Sequence, residues 1–482
     1  MNRRKLLQFG GTALGGLAVS RLPLLAQSGM HVAAHAPSSP LGKADFELRI
    51  APVQVELDPS RILSTIGYNG SAPGPLMRMK AGKPVTVEIV NETDTPELVH
   101  WHGMLVPTEA DGTEESGSPY VPPHGRARVS FTPGPAGLRW YHSHAMAMDD
   151  LRKGAYSGQF GMVYVEDGND KGAYDQEHFL ALRDWEPFFT TTMEDDDDDT
   201  HDGPMLEEPP EMSNDPNGLE VGSMTYSINE KALGAGDPIR VKEGQRLLLH
   251  FVNASAIENR RIALAGHPMR VLSLDGNAVP RPQMVDSLFL GAGERASVEV
   301  AMNHPGVWIL GSTEKMVREQ GLGVVVEYAG QHKTPQWVDP KKAPWDYSLF
   351  GTGTPTQPAP KNTIDMIFRK LPRAQGKFNM WTVNGKVYPH ENEFVLQKGE
   401  RYRLIMRNWS DDAHPMHLHR HLWELVEMNG KPMGGLVKDT VVVPYYGRAV
   451  VDFTADQPGL SLFHCHIQQH MDYGFKALFR YA

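Results

Sequence analysis

The sequence predicts an all-β chain of three consecutive sandwich or barrel units. Three observations carry this: runs that alternate apolar and polar residues, Gly/Pro/Asn turn signals between them, and one set of landmarks met three times. The alternating runs are 82–91, 244–253 and 399–408, each opening on Gly and closing nine residues later on Asn, at offsets of 162 and 155 residues. Upstream stand Tyr68-Asn69-Gly70, Ile228-Asn229-Glu230 and Val383-Asn384-Gly385, with their Asn 22, 24 and 24 residues before the later one. Downstream come strands opening at Gly125, Gly293 and Gly447, each followed by a turn at Pro135-Ala136-Gly137, Pro305-Gly306 or Pro458-Gly459. Landmarks repeated in one order mark internal triplication. The units are read as 45–168, 172–330 and 345–482, with 331–361, rich in Pro, Thr and Lys, as a linker. No long helix is expected.

Composition narrows the function. With 40% hydrophobic and 22% charged residues, the chain is neither a disordered polymer nor a membrane bundle. A net charge of −11 argues against nucleic acid as a partner. The single cysteine, Cys465, excludes an internal disulfide and leaves an inert, reactive or metal-binding thiol. At the N-terminus, Arg3-Arg4-Lys5 precedes a mildly apolar stretch from Phe9 to Ala26, the pattern of a twin-arginine export signal. Residues 1–36 are read as that signal, cleaved after Ala26 or Ala36, giving a periplasmic or secreted protein. No later run reaches the ~20 apolar residues of a membrane span, so no stable membrane anchor is expected.

Ten of the 21 histidines fall in four short motifs: His100-Trp101-His102, His142-Ser143-His144, His414 with His417 and His419, and His464-Cys465-His466 with His470. Imidazole is the commonest neutral metal ligand, and an adjacent thiolate selects copper or zinc. On a strand, residues i and i+2 face the same way, so each His-x-His pair offers two rings to one side while Cys465 faces the other. Two metal environments, one with a thiolate and one all-imidazole, are therefore expected back to back. His142 and His464 each follow a landmark glycine by five residues; the equivalent residue of the middle repeat is Gly311. The middle repeat keeps the scaffold and lacks the ligands, which puts the all-imidazole site between repeats one and three.

These motifs resemble those of three-domain multicopper oxidases of the laccase class, built from cupredoxin-like Greek-key sandwiches; the likeness spans roughly residues 45–482 with the motifs in the family's order. The resemblance implies four copper ions per chain. His414, Cys465 and His470 would hold the type 1 copper, with non-ligating Phe475 in the axial place and Met471 as the nearer alternative. His100 and His417 would hold the type 2 copper. His102, His142 and His466 would hold one type 3 copper, and His144, His419 and His464 the other. It also implies electron passage from Cys465 through His464 and His466, and proton supply by Asp111, which otherwise reads as a turn-forming Asp-Gly. Some bacterial relatives carry a Glu where this chain has Met471; Asp472 is adjacent but on an extended segment would face away.

Other segments are read more plainly. The acidic run 194–202, with Met193, Met205 and Met212 around it, is a solvated loop or a collector of metal ions. Met146 and Met148 are expected to pack beneath the imidazole site. His421, Trp423 and Glu424 are read as continuing the third-repeat histidine strand, either lining the thiolate site or serving as core or surface residues. The leading expectation is an O₂-consuming oxidase of phenols and related aromatics; the runner-up is a periplasmic Cu(I) or Fe(II) oxidase. A copper-free scaffold protein and a two-domain nitrite reductase fit the intact ligand set and the third repeat poorly.

Overall fold

The structure, a computed structural model, describes residues 42–168, 174–191, 218–341, 343–373, 376–389 and 393–482. The export segment and the acidic run with its methionines lie outside these residues. Among the described residues the α-helices are two five-residue turns, Lys315–Glu319 and Gln468–Asp472; everything else regular is strand or short 3₁₀ turn.

Each repeat forms two facing sheets. In the first, Arg61–Tyr68, Phe46–Asp58, Val85–Asn91 and Arg126–Phe131 make one sheet; Met77–Lys80, Phe160–Glu166, Gly137–Ser143 and Val99–His102 make the other. The second and third repeats share one strand order in both of their sheets, six strands facing five. The opening strand of every repeat runs parallel to the landmark strand, as Phe46 beside Val87, Leu180 beside Phe251 and Ile364 beside Leu404, the crossover of a Greek key. The alternation read in sequence is the burial pattern: along Val85–Asn91 and Arg401–Asn408 every second residue is buried.

The landmarks are backbone pins. Asn69, Asn229 and Asn384 all take left-handed φ, near +55°, where Asn is one of few tolerated side chains. Each accepts the backbone N–H of Arg49, Ala181 or Ile367 and donates to the carbonyl two residues earlier, of Glu47, Phe179 or Asp365. Asn91, Asn253 and Asn408 are buried and donate across the sandwich to carbonyls of Val121, Leu290 and Pro444. The 331–361 segment is more than a spacer: Gln336 pairs with Val307 and Ile309, and buried Tyr347 donates to Glu294.

Candidate metal centre

Strand register brings the four motifs together. His100 lies opposite His142 and His102 opposite Trp140, on the adjacent strands Val99–His102 and Gly137–Ser143. Trp101 points the other way, into the core against Phe131 and Tyr141. In the third sandwich His417 pairs with His464 and Met416 with Cys465. His144, His419 and His466 each sit just past the end of a strand. His470 arrives on the turn Gln468–Asp472, which swings it back to Cys465.

Among the described residues, donor atoms converge in five buried groups, some of them sharing residues, one joining His100 and His419 through Asp111 and the other four built from histidine and cysteine alone. Within each of these four, one atom per residue lies within 4.8 Å of the others: His100, His102 and His417; His102, His142 and His466; His144, His419 and His464; and His414, Cys465 and His470. Cys465 Sγ is 3.6 Å from His470 Nδ1 and 3.8 Å from His414 Nδ1. Across the second environment, His464 Nε2 is 3.0 Å from His419 Nε2 and 3.5 Å from His144 Nε2. The thiolate group and the imidazole groups are thus joined by the backbone of residues 464–466.

Hydrogen bonds choose which nitrogen of each ring is bare. Nδ1–H donates from His100 to the Asp111 carbonyl at 2.7 Å, from His142 to the Ser143 carbonyl at 2.9 Å and from His417 to the Asp439 carbonyl at 2.8 Å. His102 is turned the other way, donating Nε2–H to Asp439 Oδ1 at 3.1 Å. The remaining His100, His142 and His417 Nε2 and His102 Nδ1, with both nitrogens of His466, are buried without a hydrogen-bond partner. Each such buried atom costs about 1–3 kcal/mol, so five rings aimed inward make sense as ligands. Burial first, and neighbouring imidazoles second, holds His144, His419, His464 and His466 well below the ordinary histidine pKa. Burial brings His417 down to about 4. Neutral rings beside a thiol are the donor set copper favours. Burial pushes the unliganded Cys465 thiol up.

Asp111 is fully buried, accepts from His419 Nδ1 at 3.2 Å and from Ser116 Oγ at 2.6 Å, and ends below the usual carboxylate range, burial being outweighed by His100, the Ser116 bond and Arg420. Phe475 is edge-on to His414, with ring centroids 4.8 Å apart, and parallel to Trp381. Three expectations need correction. Asp472 is on a helical turn, not an extended segment, so its carboxylate turns back to accept Ala147 N–H at 3.0 Å and Met148 N–H at 2.8 Å, and burial raises it to about 6. Met146 and Met148 are exposed rather than packed under the cluster, on a loop in which buried Ala147 and the backbone of Met148 are the parts held to Asp472. His421, Trp423 and Glu424 do not continue the histidine strand, since a turn through Arg420 at φ 63° starts a new one. His421 donates to the His419 carbonyl or pairs with Tyr481 OH through its two nitrogens, and Glu424 accepts from Thr356 and Gly435.

Sequence reasoning missed several neighbours of the rings. Ser410 Oγ is 2.7 Å from His414 Nε2; Trp381 packs on His470 at 4.0 Å; Trp140 stacks on His142 at 4.3 Å; and Asp439 and Thr440 hold His102. Only Trp140, two residues before His142 on the same strand face, carried a signal in its spacing.

Comparison with known proteins agrees with this geometry. Three family models, each described as multicopper oxidase, match residues 49–170, 177–327 and 356–482, together most of the chain. Multicopper oxidase MmcO of Mycobacterium tuberculosis is 29% identical over 436 residues, covering 87% of this chain and 83% of its own. Laccase-4 of Thanatephorus cucumeris is 27% identical, covering 83% of both, and iron multicopper oxidase fer1 of Mycosarcoma maydis 24% identical, covering 86% and 76%. A crystal structure of a multi-copper oxidase from Pseudomonas thermotolerans superposes with a TM-score of 0.67 at 23% identity, covering 91% of this chain and all of that one. With its three matched domains, its cupredoxin-like sandwiches and its buried imidazole–thiol groups, the chain belongs to the multicopper oxidase family.

Proposed function

We propose that this multicopper oxidase is laccase-like, taking single electrons from phenols or related aromatics and passing four of them to O₂. In that reading His414, Cys465 and His470 hold the type 1 copper beside non-ligating Phe475, His100 and His417 the type 2 copper, and the groups His102–His142–His466 and His144–His419–His464 the type 3 pair. Bound copper would supply one-electron acceptance at Cys465 and four-electron reduction of O₂ to water at the imidazole groups. The chain's part is to keep the rings neutral, to link both environments covalently through His464-Cys465-His466, and to hold the Asp111 carboxylate at His419 for orientation of water and transfer of protons. We further propose that residues 1–36 direct twin-arginine export to the periplasm or medium.

The observation that supports the substrate class is the acid Glu220 near His470. His470 lines a small buried recess there together with Tyr156, Val221, Ala256, Ile257 and Glu220. Burial raises Glu220 to about 7, against the pull of Lys370. A carboxyl group near neutrality at this edge of the thiol site suits a phenol, which sheds a proton as it loses an electron. The metal-oxidase reading, supported by the relationship to fer1, asks the same acids to hold a cation. Here Lys370 Nζ already lies 3.8 Å from Glu220 and 3.2 Å from Asp412.

Oxygen uptake by the copper-loaded protein, with methoxyphenols against Cu(I) and Fe(II) at matched concentration and Cys465→Ser as control, tests the proposal. Phenol-driven uptake that rises with pH through about 7, and loses that rise in Glu220→Gln, is expected. Uptake driven mainly by the metal ions would establish the alternative.

A further inference from the structure

Among the described residues the middle sandwich contributes no imidazole to these groups, yet its Gly293 lies against His466 and its Arg295 against Asp439. Arg295, fully buried, forks onto Asp439 with Nη1–Oδ1 at 2.6 Å and Nη2–Oδ2 at 2.5 Å. The guanidinium is itself aimed by donation to the carbonyls of Asp275 and Gly293, both at 3.1 Å. Asp439 then holds two rings of one group in opposite tautomers. Its carboxylate accepts Nε2–H of His102 at 3.1 Å, and its carbonyl accepts Nδ1–H of His417 at 2.8 Å. Thr440 Oγ1, 3.1 Å from the same His102 nitrogen, completes the hold.

The approach is possible only because two glycines leave room. A Cβ at Gly103, next to His102, would come within 2.6 Å of Asp439 Oδ2, and one at Gly293 within 2.7 Å of His466 Cδ2. Both glycines have left-handed φ, +78° and +85°, which ordinary side chains resist.

We propose that Arg295 is a positioning residue of the imidazole cluster: by fixing both carboxylate oxygens of Asp439 it fixes which nitrogen of His102 is bare and where it points, beside a His417 held by the carbonyl of the same residue. A buried ion pair is weak evidence of net stability, because desolvation offsets attraction. A planar fork does what a point charge cannot, locking the carboxylate plane as well as its position. If that plane turns, His102 loses one of its two partners and its bare Nδ1 is no longer held toward His100 and His417. The middle sandwich thereby takes part in the chemistry without owning a ligand. The inference rests on the copper reading above.

The test uses the full-length copper-loaded protein, with copper content, the blue thiolate absorption and the electron paramagnetic resonance spectrum as readouts. Wild type comes first: a protein that takes up copper and shows a blue centre plus a second, non-blue signal upholds the copper reading; one that does not sinks that reading, and this inference with it. In Arg295→Lys, which keeps the charge and loses the fork, the non-blue signal should shift its hyperfine splitting. Copper retention there against a chelator should weaken ~10–100-fold, as when a hydrogen-bond partner of a ligand is lost. The blue absorption should be unchanged. Asp439→Asn should do the same, and decides the matter if the lysine variant fails to fold. Glu294→Gln, in the same buried junction but on Lys438 and Tyr347, should lower the melting temperature and leave both spectra intact. An unchanged non-blue signal in Arg295→Lys, joint loss of both centres, or an equal spectral change in Glu294→Gln would each overturn the proposal.

Discussion

At matching positions in the third and second sandwiches, His417 faces His464 and Met416 faces Cys465, while Ala263 faces Gly311 and Ile262 faces Ser312. Counting back along the same strands, Arg260 stands where His414 does. It is buried and paired with Asp184 at 3.1 Å and with Glu258, so a structural ion pair fills the space that the thiolate group fills next door. What the two sandwiches keep in common is equally specific. His267 sets Nδ1 on the Ala265 carbonyl and Nε2 on Tyr328 OH, and His421 repeats both contacts with His419 and Tyr481, at 2.7 Å to the hydroxyl in each. The fold and the ligands are therefore separable. One set of residues holds the sandwich shut; a second set, at other positions, does the chemistry.

That separation can be broken in several ways, the largest effect coming from protons. In the copper-free protein, burial brings His417 and His421 to about 4 against a reference of 6.5. Their folded values are depressed, so the unfolded chain takes up protons that the folded one refuses; stability is full above pH 6.5 and falls as pH drops toward 4. Each ring contributes about 3 kcal/mol across that window. Amide exchange should show His414–Leu418 losing protection in acid before Arg260–Leu264, and copper loading should suppress the difference. Next in size, Arg260→Leu leaves Asp184 without its cation and should cost about 3–5 kcal/mol in denaturant unfolding, with blue absorption retained by whatever remains folded. Gly311→Ala would press a Cβ to 2.5 Å of the Leu322 carbonyl, so the middle sandwich has no room even for methyl. Its cost should be about 1–3 kcal/mol, and a neutral result would mean that the ligand-free strand could have carried a histidine all along. Smallest, His267→Phe and His421→Phe should each lose about 1 kcal/mol with copper content unchanged. A change in the copper spectra of His421→Phe alone would make it part of the centre rather than of the scaffold.

The triplication and the ligand-bearing strands could be read in the sequence because both are local patterns. Asn69, Asn229 and Asn384 recur because one left-handed turn needs the same side chain each time, and His100 with His102 share a face because a strand repeats every two residues. Expectations failed where local geometry departed from a strand. The helical turn at 468–472 reversed the direction of Asp472, and the turn through Arg420 ended the histidine strand before His421. Asp439, Ser410, Trp381 and Arg295 had no legible signal, since none shares a motif or a strand face with the rings it touches.

The sequence by itself determined three all-β repeats, the gathering of paired histidines in the first and third, and a cysteine–histidine group back to back with an imidazole one. All of these follow from side-chain alternation and spacing along single strands. Tertiary structure alone decided which nitrogen of each ring is bare, that Glu220, with its carboxyl near neutrality, lines the same recess as His470, and that Arg295 of the middle sandwich reaches His102 through the Asp439 carboxylate. The contacts of Asp439 with Arg295 and His102 join segments more than a hundred residues apart at about 3 Å, and hydrogen-bond geometry at that range is fixed by packing rather than by position along the chain.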